Sequence, residues 1–344
     1  MDTRPLGQTG ISVSTLCLGG MMLGAFGNRD HDESVRIVHR ALDAGITFVN
    51  TADGYSAGES EEILGKALAD GRRGDVVLSV KTGVVLDGNP NHGGASRRWL
   101  THAVEGSLRR LGTDWIDVYE VGVPDPHTDL DETLAVLTDL TRAGKIRAFG
   151  TSKMPASRLV EARWIAERRG HGVFRTEEPP YSMLTRAIEY DLLPTARRLG
   201  MGVLAYSPLA GGWLSGRDRT DGVTSSGPVS PRRAGNRAMD PANPANAAKL
   251  AAAEALGAVA DEAGLTLVQL ATAFAVHHPA VTSTIIGPRT TEHLEGYLAA
   301  DGVELSDEVL DRIDEIVPPG STVDINDNMW QYGTEDLQPG RRRR

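Results

Sequence analysis

Short runs of β-branched and apolar residues alternate along the chain with longer stretches whose apolar positions recur every three or four residues. The short runs predict strands at Thr15–Leu18, Thr47–Asn50, Val76–Lys81, Ile116–Val121, Ile146–Gly150, Val173–Thr176, Gly202–Tyr206 and Thr282–Ile286. The longer stretches predict helices between them, among them Asp32–Ala44, Ser60–Ala69, Arg97–Leu111 and Leu130–Ala143. Ala44-Gly45, Leu111-Gly112 and Ala143-Gly144 put glycine just past a helix, where a left-handed residue ends it. Eight such units predict an α/β chain whose parallel sheet closes on itself, a (β/α)8 TIM barrel. Ahead of them, Arg4–Leu6 and Ile11–Val13 flank Gly7-Gln8-Thr9-Gly10, a β-hairpin placed to plug the barrel floor.

Two segments break the rhythm. Residues 207–247, after the seventh strand, are rich in Gly, Ser, Pro, Arg and Asn. A loop of that length is functional or mobile, and it leaves the face on which barrel enzymes build their sites. The tail, 318–344, opens with Pro318-Pro319-Gly320 and is placed to fold over the same mouth; its end, Arg341 to Arg344, reads as a frayed basic block. With no repeat beyond the βα unit and no linker, residues 1–344 read as one domain.

Composition narrows the function classes. The 36 basic against 46 acidic residues give a net charge of −10, which argues against a nucleic-acid partner. No apolar run approaches the roughly 20 residues that span a bilayer, and no basic-then-apolar leader is present, so the expectation is a cytoplasmic protein acting on a small molecule. Cys17 is the one cysteine and reads as a small buried apolar residue. No metal-ligand spacing stands out among the nine histidines, so no metal is expected. Oligomeric state leaves no mark in the pattern.

The candidate chemistry sits at strand ends. Phe48-Val49-Asn50-Thr51-Ala52-Asp53-Gly54-Tyr55 leaves the second strand and runs into a helix that Ser60 is placed to cap. Val77-Leu78-Ser79-Val80-Lys81 ends the third strand in a lysine, so Tyr55 and Lys81 share the top of the barrel. An ammonium beside a phenol favours the phenolate, which makes Tyr55 a general acid–base candidate. Taken alone, either residue is a rim aromatic or a solvated strand end; the pairing makes the chemical reading the stronger.

The segment resembles the signature of the aldo-keto reductases, particularly their potassium-channel-beta-like and bacterial branch. The resemblance extends through Gly144-Lys145-Ile146-Arg147, Gly150-Thr151-Ser152, Pro179-Pro180-Tyr181-Ser182, Tyr206-Ser207-Pro208-Leu209-Ala210-Gly211-Gly212 and Ile285-Ile286-Gly287-Pro288-Arg289. It implies a barrel that binds NADPH across its C-terminal face and reduces carbonyls. It also implies a catalytic set of Asp, Tyr, Lys and usually His, which this chain matches only in part. Tyr55 and Lys81 stand at their positions, Asn50 replaces the aspartate, and Gly122 takes the histidine's place, leaving a hole. Losing the carboxylate at 50 implies an un-neutralised Lys81. His127, on the next loop, is a candidate substitute for the imidazole.

For the cofactor, the resemblance implies carboxamide contacts from Ser152 and from position 178, where Glu178 replaces glutamine; Lys153 follows Ser152, and the two opposite charges at facing strand ends are either an ion pair or isolated substitutions without a role. Tyr206 is placed either to stack on the nicotinamide or to serve as a core aromatic at a strand end. Ser207, Leu209, Gly211 and Leu214 are placed at the pyrophosphate, and Gly287, Arg289 and His293 at the 2′-phosphate end. Gly20, followed by Met21, replaces a usual threonine and is expected to widen the pocket floor; with Gly122 it suggests a bulky substrate, polycyclic or sugar-bearing. Three readings stand: an NADPH-dependent carbonyl reductase, a non-redox dehydratase, epimerase or cyclase using Tyr55, Lys81, Glu178 and Lys153, and an inert ligand-binding protein.

Overall fold

A computed structural model describes residues 1–85, 87–219 and 235–328. Two short strands, β1 (Thr3–Pro5) and β2 (Ser12–Ser14), pair antiparallel as a hairpin. Eight more form the barrel: β3 (Leu16–Gly19), β4 (Phe48–Ala52), β5 (Val77–Thr82), β6 (Ile116–Val121), β7 (Ile146–Ser152), β8 (Thr176–Glu178), β9 (Gly202–Tyr206) and β10 (Ser283–Ile286). Every neighbouring pair is parallel, and β10 closes the sheet onto β3. Around it run α1 (His31–Asp43), α2 (Glu59–Ala67), α3 (Arg97–Leu111), α4 (Leu130–Arg142), α5 (Ala156–Arg169), α6 (Leu192–Arg198), α7 (Ala247–Glu262), α8 (Leu267–His277), α9 (Thr291–Leu298) and α10 (Asp307–Ile316). The fold is the (β/α)8 barrel that the hydrophobic pattern predicts.

The hairpin plugs the end where the strands begin. Leu6 and Val13 are fully buried and pack with Cys17, Phe48, Val118 and Leu204 inside the barrel. Gly7, at φ +53°, passes so close to β9 that a Cβ there would lie 2.5 Å from the Gly202 nitrogen. Arg4 fastens the hairpin, its Nη1 donating to the carbonyls of Val276 (2.9 Å) and Val281 (2.6 Å). A sealed floor leaves the opposite, C-terminal end as the open one.

Two local expectations are corrected. The sixth barrel strand lies at Thr176–Glu178, not Val173–Thr176. Phe174 is apolar because it packs edge-on against Phe149 in the helix layer; the residues that join the ladder are polar ones, and Pro179-Pro180, with no N–H to donate, end the regular strand and leave a last bridge to Tyr206. The helix after β4 is not capped by Ser60 either. Gly58, in the left-handed region at φ 95°, stands at the cap with no side-chain bond, while Ser60 Oγ donates inward to the Gly20 carbonyl (2.8 Å).

The described part of the tail does lie on the C-terminal side, against the loop after β8. The Val323 amide donates to the Leu184 carbonyl (3.0 Å), and Arg186 Nη1 to the Val317 carbonyl (2.6 Å). Buried Lys249 pairs with Asp324 (2.8 Å) and Asp327 (2.7 Å). Arg341 to Arg344, and 220–234 of the long loop, lie outside the described residues. Among the described residues no single helix is long and apolar enough to cross a membrane.

Candidate active site

Period-two alternation in the strands decides which side chains look inward. Asn50 on β4, Ser79 and Lys81 on β5, Glu120 on β6, and Thr176 and Glu178 on β8 all do, and all six are buried. Tyr55 reaches the same space from the turn after β4. That turn holds Ser56 and Ala57 at φ 50° and 58°, pinned where Ser56 Oγ accepts from the Phe26 amide (3.0 Å) and donates to the Leu23 carbonyl (3.2 Å). Five of the six described non-glycine residues with positive φ follow strand ends at this mouth: Ser56, Ala57, Lys153, Ser207 and Ala210. Strained backbone concentrated on one face is the mark of a functional end.

The structure brings Tyr55 and Lys81 together: the ammonium lies 5.2 Å from the centre of the phenol ring. Lys81 Nζ donates to Asn50 Oδ1 (2.6 Å), to Glu178 Oε2 (3.1 Å) and to the Thr51 carbonyl (3.4 Å). Asn50 Nδ2 in turn donates to the same Glu178 Oε2 (2.8 Å) and to Ser79 Oγ (3.4 Å). Burial works against the charged lysine, but Glu178, with Tyr55 and Glu120 adding, outweighs it and holds the ammonium above the ordinary lysine range. The expectation of an un-neutralised Lys81 is therefore corrected: a carboxylate is present, supplied from β8 rather than from β4.

One layer deeper, Ser79 Oγ donates to Glu120 Oε2 (2.8 Å) and Thr176 Oγ1 to Glu120 Oε1 (2.7 Å). Burial and the Glu178 charge push the Glu120 carboxyl up to about 8, so at neutral pH it carries its proton. Sequence reasoning missed Glu120. Its signal was available, since it lies two residues before Gly122 and pairs in register with Lys81, both inward positions.

The ion pair between Lys153 and Glu178 does not form; the Glu178 carboxylate is turned down to Lys81 and Asn50. Lys153, at φ 61°, bonds to Glu178 through the backbone, its amide donating to the Glu178 carbonyl (3.3 Å); burial lowers the pKa of its ammonium, and the Glu178 charge opposes that only in part. Ser152 Oγ also donates to that carbonyl (2.8 Å).

Neither glycine opens space as expected. A Cβ on Gly20 would fall 2.7 Å from Ser60 Oγ and 3.0 Å from Thr51 Oγ1, so those hydroxyls already fill the place of the missing side chain. A Cβ on Gly122 would meet the Thr82 carbonyl oxygen at 3.0 Å and Lys81 Cβ at 3.3 Å. The neighbouring backbone runs close there, so the strand itself is not widened at Gly122. His127 is exposed on the rim, its amide donating to Asp125 Oδ1 (2.8 Å). A cleft of about 420 Å³ bounded by Ala95, Val121, Asp125, Met154 and Phe174 lies beside the mouth, on the helix side of β6.

Tyr206 ends β9, half-buried against the inner cluster. Beyond it, residues 207–215 turn tightly, with Ala210 donating to the Ser207 carbonyl and Gly212 to that of Leu209 (both 2.8 Å). Gly211 is in the left-handed region, Leu209 packs at the core's edge, and Met21 lies half-buried in the first loop. Leu214 has a wholly buried side chain, and its amide donates to the Leu209 carbonyl (3.2 Å). Past β10, Gly287 and Arg289 lead into α9, whose N-terminus Thr290 caps by accepting from the His293 amide (3.2 Å). Burial, then neighbouring Arg217, lower the Arg289 pKa, and burial with Arg289 and Arg217 lowers that of His293. Two guanidiniums and an imidazole thus crowd the start of a helix, a donor set suited to a phosphate. Arg217 was not foreseen; it lies in a loop with no pattern to read.

The aldo/keto reductase family model matches residues 15–318. A Bacillus subtilis protein described as the uncharacterized oxidoreductase YrpG is 36% identical over 332 residues, covering 93% of this chain and 97% of that protein. The aldo-keto reductase YhdN of the same organism is 37% identical over 220 residues, 63% of this chain and 65% of its own length. A probable voltage-gated potassium channel subunit beta from Arabidopsis thaliana is 33% identical over 328 residues, 92% of this chain and 97% of its own.

Proposed function

The chain belongs to the aldo/keto reductase family of oxidoreductases, and on that premise we propose that it reduces a carbonyl of a small molecule using NADPH, with Tyr55 as the proton donor. The observation that carries the reading is the Lys81 ammonium beneath the Tyr55 ring in the mouth of a barrel plugged at its other end. NADPH, when bound, supplies the hydride. Tyr55 gives its hydroxyl proton to the carbonyl oxygen, and Lys81 stabilises the phenolate that remains. Asn50 and Glu178 hold the ammonium in place while the reaction proceeds.

NADPH rather than NADH is supported by the cluster of Arg289, Arg217 and His293 at the start of α9, which fits a 2′-phosphate. The non-redox reading drew on a Lys153–Glu178 pair, and that carboxylate is committed to Lys81 instead. The test is Tyr55→Phe. NADPH should still raise the melting temperature of this variant as in the wild type, while carbonyl reduction falls at least a thousandfold. Undiminished turnover would remove Tyr55 from the mechanism, and a wild-type protein unmoved by saturating NADPH would remove the reductase reading.

A further inference from the structure

The buried Lys81 ammonium in the barrel mouth bonds directly to a carboxylate, and the chain could have placed that carboxylate on either of two strands. Position 50 on β4 and position 178 on β8 both touch the ammonium, and they touch each other: Asn50 Nδ2 lies 2.8 Å from Glu178 Oε2. An amide suits this place, because its oxygen accepts from the lysine while its nitrogen donates to the glutamate. A carboxylate at 50 would set two buried anions at that 2.8 Å separation, and one of them would have to take up a proton. Negative charge at 50 and at 178 is thus mutually exclusive. Asn50 and Glu178 form a matched pair, and neither is an isolated loss or gain.

We propose that Glu178 is the positioning residue that keeps Lys81 charged under Tyr55, and that Asn50 is uncharged because Glu178 has taken the role a carboxylate at 50 would otherwise play. Other ionisable groups feel Lys81 without replacing Glu178. Cys17 on β3 is a buried thiol, Asp53 after β4 bonds to Thr82, Lys153 after β7 is a second cation, and Glu120 on β6 bonds to Ser79 and Thr176 rather than to the ammonium. Without Glu178, burial acts on Lys81 unopposed by a bonded carboxylate, and the ammonium gives up its proton at lower pH.

The catalytic meaning of this pair rests on the reductase reading, but the pairing does not, and the experiment separates the two. Glu178→Gln, Asn50→Asp and the double variant N50D/E178Q are compared with the wild type. In the absence of substrate and NADPH, both single variants should melt lower than the wild type and the double should recover most of the loss. Losses that simply add would overturn the pairing whatever the protein catalyses. In turnover, Glu178→Gln should lose at least tenfold in kcat and move the alkaline limb of the pH profile down by about one unit or more. The double variant should bring both back. If Glu178 instead serves only to bind the cofactor, Glu178→Gln raises the KM for NADPH, leaves the alkaline limb in place and gains nothing from aspartate at 50; that result overturns the proposal. Should Glu178→Gln fail to fold, a folded double variant with wild-type pH dependence still supports it, and a folded but inactive one refutes it.

Discussion

Glu120 offers a quantitative test of the barrel interior. Its carboxyl is wholly buried, accepts from Ser79 and Thr176, and has its pKa raised from an ordinary 4.5 to about 8 by burial and by Glu178. A group whose folded pKa is raised holds its proton more tightly in the folded chain. Its contribution to stability is complete below pH 4.5 and is lost as pH rises toward 8. The whole gap is about 3.5 pH units, or about 5 kcal/mol at about 1.4 kcal/mol per unit, of which about 3 kcal/mol is already lost at pH 7. Glu120→Gln keeps the shape of the protonated acid, and both hydroxyls can rotate to bond the amide, but it cannot ionise in the unfolded chain. The variant should therefore match the wild type near pH 4.5 and exceed it increasingly above. With an unfolding entropy of about 2.1 cal/mol/K per residue over the 344 residues, 3 kcal/mol corresponds to a melting temperature about 4 °C higher at pH 7, growing to about 7 °C at pH 9. Thermal melts of both proteins between pH 5 and 9 measure this directly. Glu177, also raised to about 8 by burial, contributes the same slope to both and cancels in the difference. A variant that tracks the wild type within a degree at pH 8, or melts below it, would show that Glu120 is ionised in the folded protein and refute the reasoning.

Arg289→Ala should raise the KM for NADPH at least tenfold and change that for NADH little, because only the former has a 2′-phosphate to lose; equal effects on both, read from initial rates, would dissociate Arg289 from that phosphate. Leu6→Ala should cost about 2–5 kcal/mol of stability in thermal or denaturant unfolding, because the plug's side chain is fully enclosed by Cys17, Phe48, Val118 and Leu204. A loss under about 1 kcal/mol would mean that the floor collapses to fill the space.

Much of the fold was legible in the chain because the barrel is written in local periodicity. Seven of the eight strands fall within two residues of where the apolar runs predict them, since a buried parallel strand is a short β-branched run bounded by turns. Thr176–Glu178 broke that rule: its inward residues, Thr176 and Glu178, are polar because they face the site, so the apolar signal slid to Val173-Phe174 in the helix layer.

The same division runs through the site. The sequence by itself determined the family resemblance, the closeness of Tyr55 to Lys81, and the cation at Arg289, all carried by short motifs at strand ends. It read Asn50 as a lost charge and Glu178 as a candidate partner for Lys153, because one strand cannot report which side chains the others direct at it. Only closure of the barrel placed β4, β5 and β8 around one ammonium, 31 and 97 residues from its partners in sequence, and there the carboxylate that seemed missing stands. The spaces at Gly20 and Gly122 were decided in the same way, by hydroxyls and backbone brought in from elsewhere in the chain. Side-chain identity is local, but the charge balance of a buried site is a sum over elements that meet only in three dimensions.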